Sequence, residues 1–81
     1  MPSSISPELR AALRALGKVR DEKPGAEPGT EAFAAWRVRI AEALESLVPL
    51  LVLPEDRHRA AAEALEARAG AARIRASRPP G

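Results

Sequence analysis

Apolar residues fall along this chain in three stretches of helical spacing, separated by proline-rich breaks. In the first, Leu9, Ala12, Leu13, Leu16 and Val19 lie within about 120° at the helical turn angle, with Arg10, Arg14 and Lys18 opposite. That spacing predicts an amphipathic helix over about 7–21. Ser6 suits its N-cap, Pro7 its first position, and Glu8 its dipole. The second stretch, about 30–48, gathers Phe33, Trp36, Ile40, Ala43, Leu44 and Leu47 on one face, with Thr30 as its cap. Glu42 and Glu45 take the far side, where Arg39 stands three residues before Glu42, and Val38 is an isolated apolar residue among them. Between the two, "EKPGAEPGT" holds two Pro-Gly pairs, which predicts a flexible loop over 23–29.

"SLVPLLVLPED" then interrupts the pattern. Every residue from Leu47 to Leu53 is apolar, yet Pro49 and Pro54 punctuate the run. Pro49 cannot donate to Glu45 and disfavours helical angles at Val48, so the second helix is expected to end or kink there. Pro54-Glu55-Asp56 is a strong helix start. The residues between read as an apolar joint, with Leu50, Leu51 and Val52 either folded over the end of a bundle or docked on a partner. "LVLPED" before a helix also resembles the opening of the ribbon-helix-helix DNA-binding fold, in which a short strand runs into a helix beginning Pro-Glu. The resemblance covers about twenty residues. It departs from that fold where "PLLVL" has no polar base-reading residue and where eleven residues follow Gly70, too few for the second helix.

The third helix, about 54–77, is built differently. It holds nine alanines and two large apolar residues, Leu65 and Ile74, nine positions apart and so on opposite sides. Ala60, Ala64, Ala67 and Ala71 surround Ile74; His58, Ala61, Ala62, Ala69, Ala72 and Ala76 surround Leu65. One strip between these faces is basic (Arg57, Arg68, Arg75), and the other is mixed (Glu55, Arg59, Glu63, Glu66, Arg73). Alanine favours helix and lets backbones approach closely, so this helix can be packed on both sides. The fold class is therefore all-α: a hairpin of two helices forming the core, plus a long alanine-rich helix shared with a second copy or another protein. Ala60, Ala67, Ala71 and Ile74 join Leu50, Leu51 and Val52 as the candidate interface.

Composition sharpens that expectation. Eighteen of 81 residues are alanine, and there is one Phe, one Trp and no cysteine. A core of so few large side chains comes close to break-even against chain entropy, and no disulfide supplements it, which points to a homo-oligomer. The seven-residue apolar run is far short of the roughly 20 needed to span a bilayer, and the N-terminus lacks a signal-peptide pattern, so a cytoplasmic protein without a membrane role is expected. Heavy use of Ala, Arg, Gly and Pro suits a GC-rich bacterial genome. Net charge is +2, but no acid follows Glu66, while Arg68, Arg73, Arg75 and Arg78 do, leading into a basic tail over 78–81.

Candidate chemistry is sparse. The lone His58 has no Cys or second His near it, the serines have no base placed by spacing, and "KPGAEPG" lacks the frame of a phosphate loop. No catalytic residue, cofactor, metal or small-molecule substrate is assigned. Phe33 and Trp36 read as core rather than as a stacking platform. The sequence thus predicts a non-enzymatic interaction protein, self-associating or docked on a larger partner through the third helix and the joint. The alternative is an accessory nucleic-acid-binding protein whose Arg57, Arg68, Arg75 and Arg78 meet phosphates.

Overall fold

A computed structural model describes residues 6–25 and 27–77, and all of its regular structure is helical. The order is α1 (Pro7–Asp21), α2 (Glu31–Leu47), a 3-10 turn (Val48–Leu50) and α3 (Pro54–Ser77). No strand forms among the described residues, so the ribbon-helix-helix likeness ends at the sequence.

The caps are those the side chains dictate. Ser6 Oγ accepts from the Leu9 amide at 3.1 Å, and Thr30 Oγ1 accepts from the Phe33 amide at 3.3 Å while donating to the Glu27 carbonyl at 2.9 Å. α2 stops at the proline: Leu47 is its last residue, Pro49 sits in the 3-10 turn, and the Leu51 amide closes that turn on the Val48 carbonyl. The chain is then extended at Leu51, and the Leu53 carbonyl accepts the first bond of α3 from Arg57.

Both other helices pack on α2, each antiparallel to it, and its two sides are packed differently. Towards α1, large side chains interdigitate: Leu9 and Leu16 meet Ile40, Leu44 and Leu47, with Ala12, Val19 and Trp36 at the edge. The Trp36 indole donates to the Val19 carbonyl at 2.7 Å, and its ring tilts against Phe33 with centroids 5.2 Å apart. Lys23 reaches over the Phe33 face from the loop. Arg39 pairs with Glu22 at the end of α1 rather than with Glu42, because the hairpin brings a carboxylate of another helix closer than the neighbour on its own.

Towards α3, α2 presents Ala34, Arg37, Ala41, Leu44 and Val48, at intervals of three and four residues. α3 answers with Ala60, Ala64, Ala67, Ala71 and Ile74 at the same alternation, the spacing of a coiled-coil seam. Ala34 and Ala41 are 0% exposed, and Ala60, Ala64, Ala67 and Ala71 are all buried. The alanine face around Ile74 is thus filled from within the chain. Ala60, Ala67 and Ala71, expected as interface residues for another molecule, serve the chain's own hairpin of α2 and α3, and Ile74 is half-buried on the same side.

Candidate functional site: the outer face of α3 and the joint

The joint divides in two. Val48, Leu50 and Leu51 pack against the core, whereas Val52 is 76% and Leu53 55% exposed. Its shape is held from α3: Arg57 Nε donates to the Leu51 carbonyl at 2.6 Å, so a side chain one turn into the helix ties down the extended residue before it. Pro49 and Pro54 restrict the backbone on either side, so Val52 and Leu53 form a constrained apolar tip.

The face of α3 around Leu65 is left open by the described residues. Leu65 is 70% exposed, and His58, Ala61, Ala62, Ala69, Ala72 and Ala76 are exposed with it. Beside Leu65 runs a shallow groove of about 320 Å³ lined by Glu45, Val48, Ala61 and Ala64. A second groove, of about 220 Å³, opens between α1 and α3, but its floor of Leu16, Leu44 and Leu47 is already buried in the chain.

The arginine strip is engaged. Arg68 grips Glu45 through two bonds of 2.5 and 2.6 Å, Arg75 grips Glu31 at 3.2 and 2.7 Å, and Arg57 serves the joint. Hydrogen bonding to Arg68 holds the Glu45 carboxyl below its ordinary value, against a smaller opposing effect of desolvation. The Arg68 and Arg75 guanidiniums are pushed up by their bonds to Glu45 and Glu31. The Glu45 pair therefore adds stability above the ordinary carboxylate range and loses it as pH falls through the lowered value. Arg78 lies outside the described residues. On the other edge of the seam, Arg20 pairs with Glu63 at 2.7 Å, joining α1 to α3.

One contact does not follow from the apolar periodicity of either helix. The half-buried Arg37 lies flat against α3 at Gly70, donating to the Glu66 carbonyl at 3.2 Å and the Ala67 carbonyl at 3.4 Å. A Cβ on Gly70 would stand 2.5 Å from Arg37 Nε, so the missing side chain is what admits the guanidinium. A glycine interrupting an alanine run, together with an arginine inside the Ala34–Ala41 row, is the signal that could have found it.

Among the described residues no group of three His, Cys, Asp or Glu side chains converges as a metal site would require. No described helix is long and apolar enough to cross a membrane. Compared with known proteins, the chain matches no family, no curated sequence and no solved structure.

Proposed function

We propose that this chain is a small, non-enzymatic helical interaction module that assembles, with itself or on a larger protein, through the outer face of α3 and the tip of the joint. The observation that carries the reading is the exposure of Leu65, Val52 and Leu53 in a chain with so few large apolar side chains. Isolated exposed leucines are ordinary; here the leucine sits beside an apolar groove and on a helix face built from alanine, which excludes little water unless something lies against it. The nucleic-acid alternative stands second, because Arg68 and Arg75 would have to leave Glu45 and Glu31 before meeting phosphates.

Sedimentation equilibrium from about 1 to 100 µM tests the self-associating form, with a dimer or larger species expected and a melting temperature that rises with concentration. Leu65→Asp should shift the equilibrium to monomer without altering the monomer's helicity. Assembly unchanged by Leu65→Asp would show that the outer face of α3 is not the surface used.

A further inference from the structure

Among the exposed features of the described residues, three are the strongest candidates for a partner: the groove between α1 and α3, the tip at Val52 and Leu53, and the outer face of α3. The first is floored by residues already buried, and the second is too small to choose a partner. The third carries a pattern that does choose one. His58, Ala62, Leu65, Ala69, Ala72 and Ala76 follow one another at intervals of four and three residues, a second coiled-coil seam on the same helix, and all are exposed. Along one flank of that seam run Glu55, Arg59, Glu66 and Arg73, in alternating sign, once Glu63 of the same strip is set aside as the partner of Arg20 on α1. All four are exposed, and none takes part in the chain's ion pairs between described residues, which join Arg20, Arg39, Arg68 and Arg75 to other carboxylates.

Resting on the reading of α3 as an assembly surface, we infer that two copies of this chain pair antiparallel through α3, with Leu65 of each seated against Ala62 of the other. An alternating row turned end for end presents the opposite sign at each place. In this register Glu66 faces Arg59 of the second copy and Glu55 faces its Arg73, and the two-fold axis repeats both pairs. Sliding the helices so that Leu65 meets Ala69 instead sets Arg59 against Arg73 and Glu66 against Glu66, so charge selects the register. A parallel pair would turn this flank towards the one bearing Arg57, Arg68 and Arg75, leaving the alternation unanswered. On that opposite flank the antiparallel pair brings Arg57 beside the second copy's Arg68, whose charge is offset by Glu45. The patch also holds a projecting leucine, Leu65, with an adjoining apolar groove of about 320 Å³ beside it. The packing has a precedent inside the chain, where alanines at the same spacing bring α2 and α3 together with Ala34 and Ala41 fully covered.

A single helix pair lies at the small end of specific interfaces, so the dimer is expected to show at micromolar rather than nanomolar concentrations. The test is sedimentation equilibrium over about 1 to 100 µM on the full chain and three variants. Glu66→Arg alone and Arg59→Glu alone each replace two opposite-charge contacts by two like-charge contacts, and each should weaken the dimer about tenfold at low salt. The double variant Glu66→Arg/Arg59→Glu re-forms both contacts with reversed sign and should restore the parent affinity. Circular dichroism on each variant confirms that helicity is unchanged. A dimer indifferent to the single reversals, or one that the double variant fails to rescue, overturns the antiparallel register while leaving self-association standing. A chain that stays monomeric across the range overturns both.

Discussion

α2 is packed on two sides, and the sides work by opposite means. Against α1 it uses bulk: Leu9, Leu16, Ile40 and Trp36 fill the space between helices, and removing volume is what would damage that interface. Against α3 it uses closeness: Ala34 and Ala41 meet Ala60, Ala64, Ala67 and Ala71, the space is filled by backbone, and adding volume is what would damage it. The first interface contributes mainly through buried side-chain area. The second buries less apolar surface per residue and is bordered instead by directed contacts: Arg68 to Glu45, Arg75 to Glu31, and Arg37 to the α3 backbone. A chain with one Phe, one Trp and eighteen alanines can build a large-residue interface once, and its remaining helix must pack by approach.

Leu44 stands where both interfaces meet, 2% exposed, so its loss should have the largest effect. Leu44→Ala is expected to destabilise the chain by about 3 kcal/mol, the transfer term plus an unfilled cavity. Urea unfolding followed by the fluorescence of Trp36 measures it. A loss below about 1 kcal/mol would mean that the two interfaces do not share a core at this point.

The seam offers the sharper contrast. Ala41→Leu adds an isobutyl side chain's three further carbons between backbones with no room for them, and should cost about 2 kcal/mol. Ala62→Leu makes the same change on the exposed side of α3 and should leave unfolding of the monomer within about 0.5 kcal/mol, since alanine and leucine have similar helix propensity. Equal effects at the two positions would break the distinction between a filled alanine face and an open one.

The two alanine faces also mark how far the sequence could be read. Three helices, both N-caps and the stop at Pro49 follow from local chemistry, and the structure has them where Ser6, Thr30 and the prolines put them. The large-residue face of α2 was legible too, because leucine, phenylalanine and tryptophan at helical spacing announce a core. Which alanine face of α3 is covered was not legible in α3 itself. Both faces have coiled-coil spacing and one large residue, and helix propensity does not distinguish them. The choice is written in α2, where Ala34, Ala41 and Val48 form a matching row that Phe33, Trp36 and Ile40 overshadow. The arginine strip escaped for a related reason: its partners, Glu45 and Glu31, lie 23 and 44 residues away, and spacing along one helix cannot reveal them.

The joint gives a smaller contrast of the same kind. Leu51 is half-buried against the core and Val52 is exposed beside it. Leu51→Asp should destabilise the monomer by between about 1 and 2 kcal/mol, through lost burial and an ill-placed charge. Val52→Asp should change monomer stability by less than about 0.5 kcal/mol. If instead Val52→Asp is the more damaging in thermal melts at low concentration, the tip is covered within the chain and does not face outward.

The smallest effect belongs to Gly70, where closeness and directed contact coincide. A glycine inside a helix is worse than alanine by about 1 kcal/mol, so Gly70→Ala should stabilise α3 if nothing else changes. Here the new Cβ would stand 2.5 Å from Arg37 Nε, and the guanidinium, at the end of a flexible side chain, must swing away and give up its bonds to the Glu66 and Ala67 carbonyls. Those bonds are worth about 1 kcal/mol net, so gain and loss should nearly cancel and the single variant should unfold almost as the parent does. In an Arg37→Ala background there is no guanidinium to displace, and Gly70→Ala should deliver its full stabilisation of about 1 kcal/mol. The difference between the two backgrounds is the coupling energy of the clasp, measured by a double-mutant cycle in urea. Equal stabilisation in both backgrounds would reduce the Arg37 contact to a surface accident. Gly70 would then be a glycine that close packing of α2 and α3 does not require.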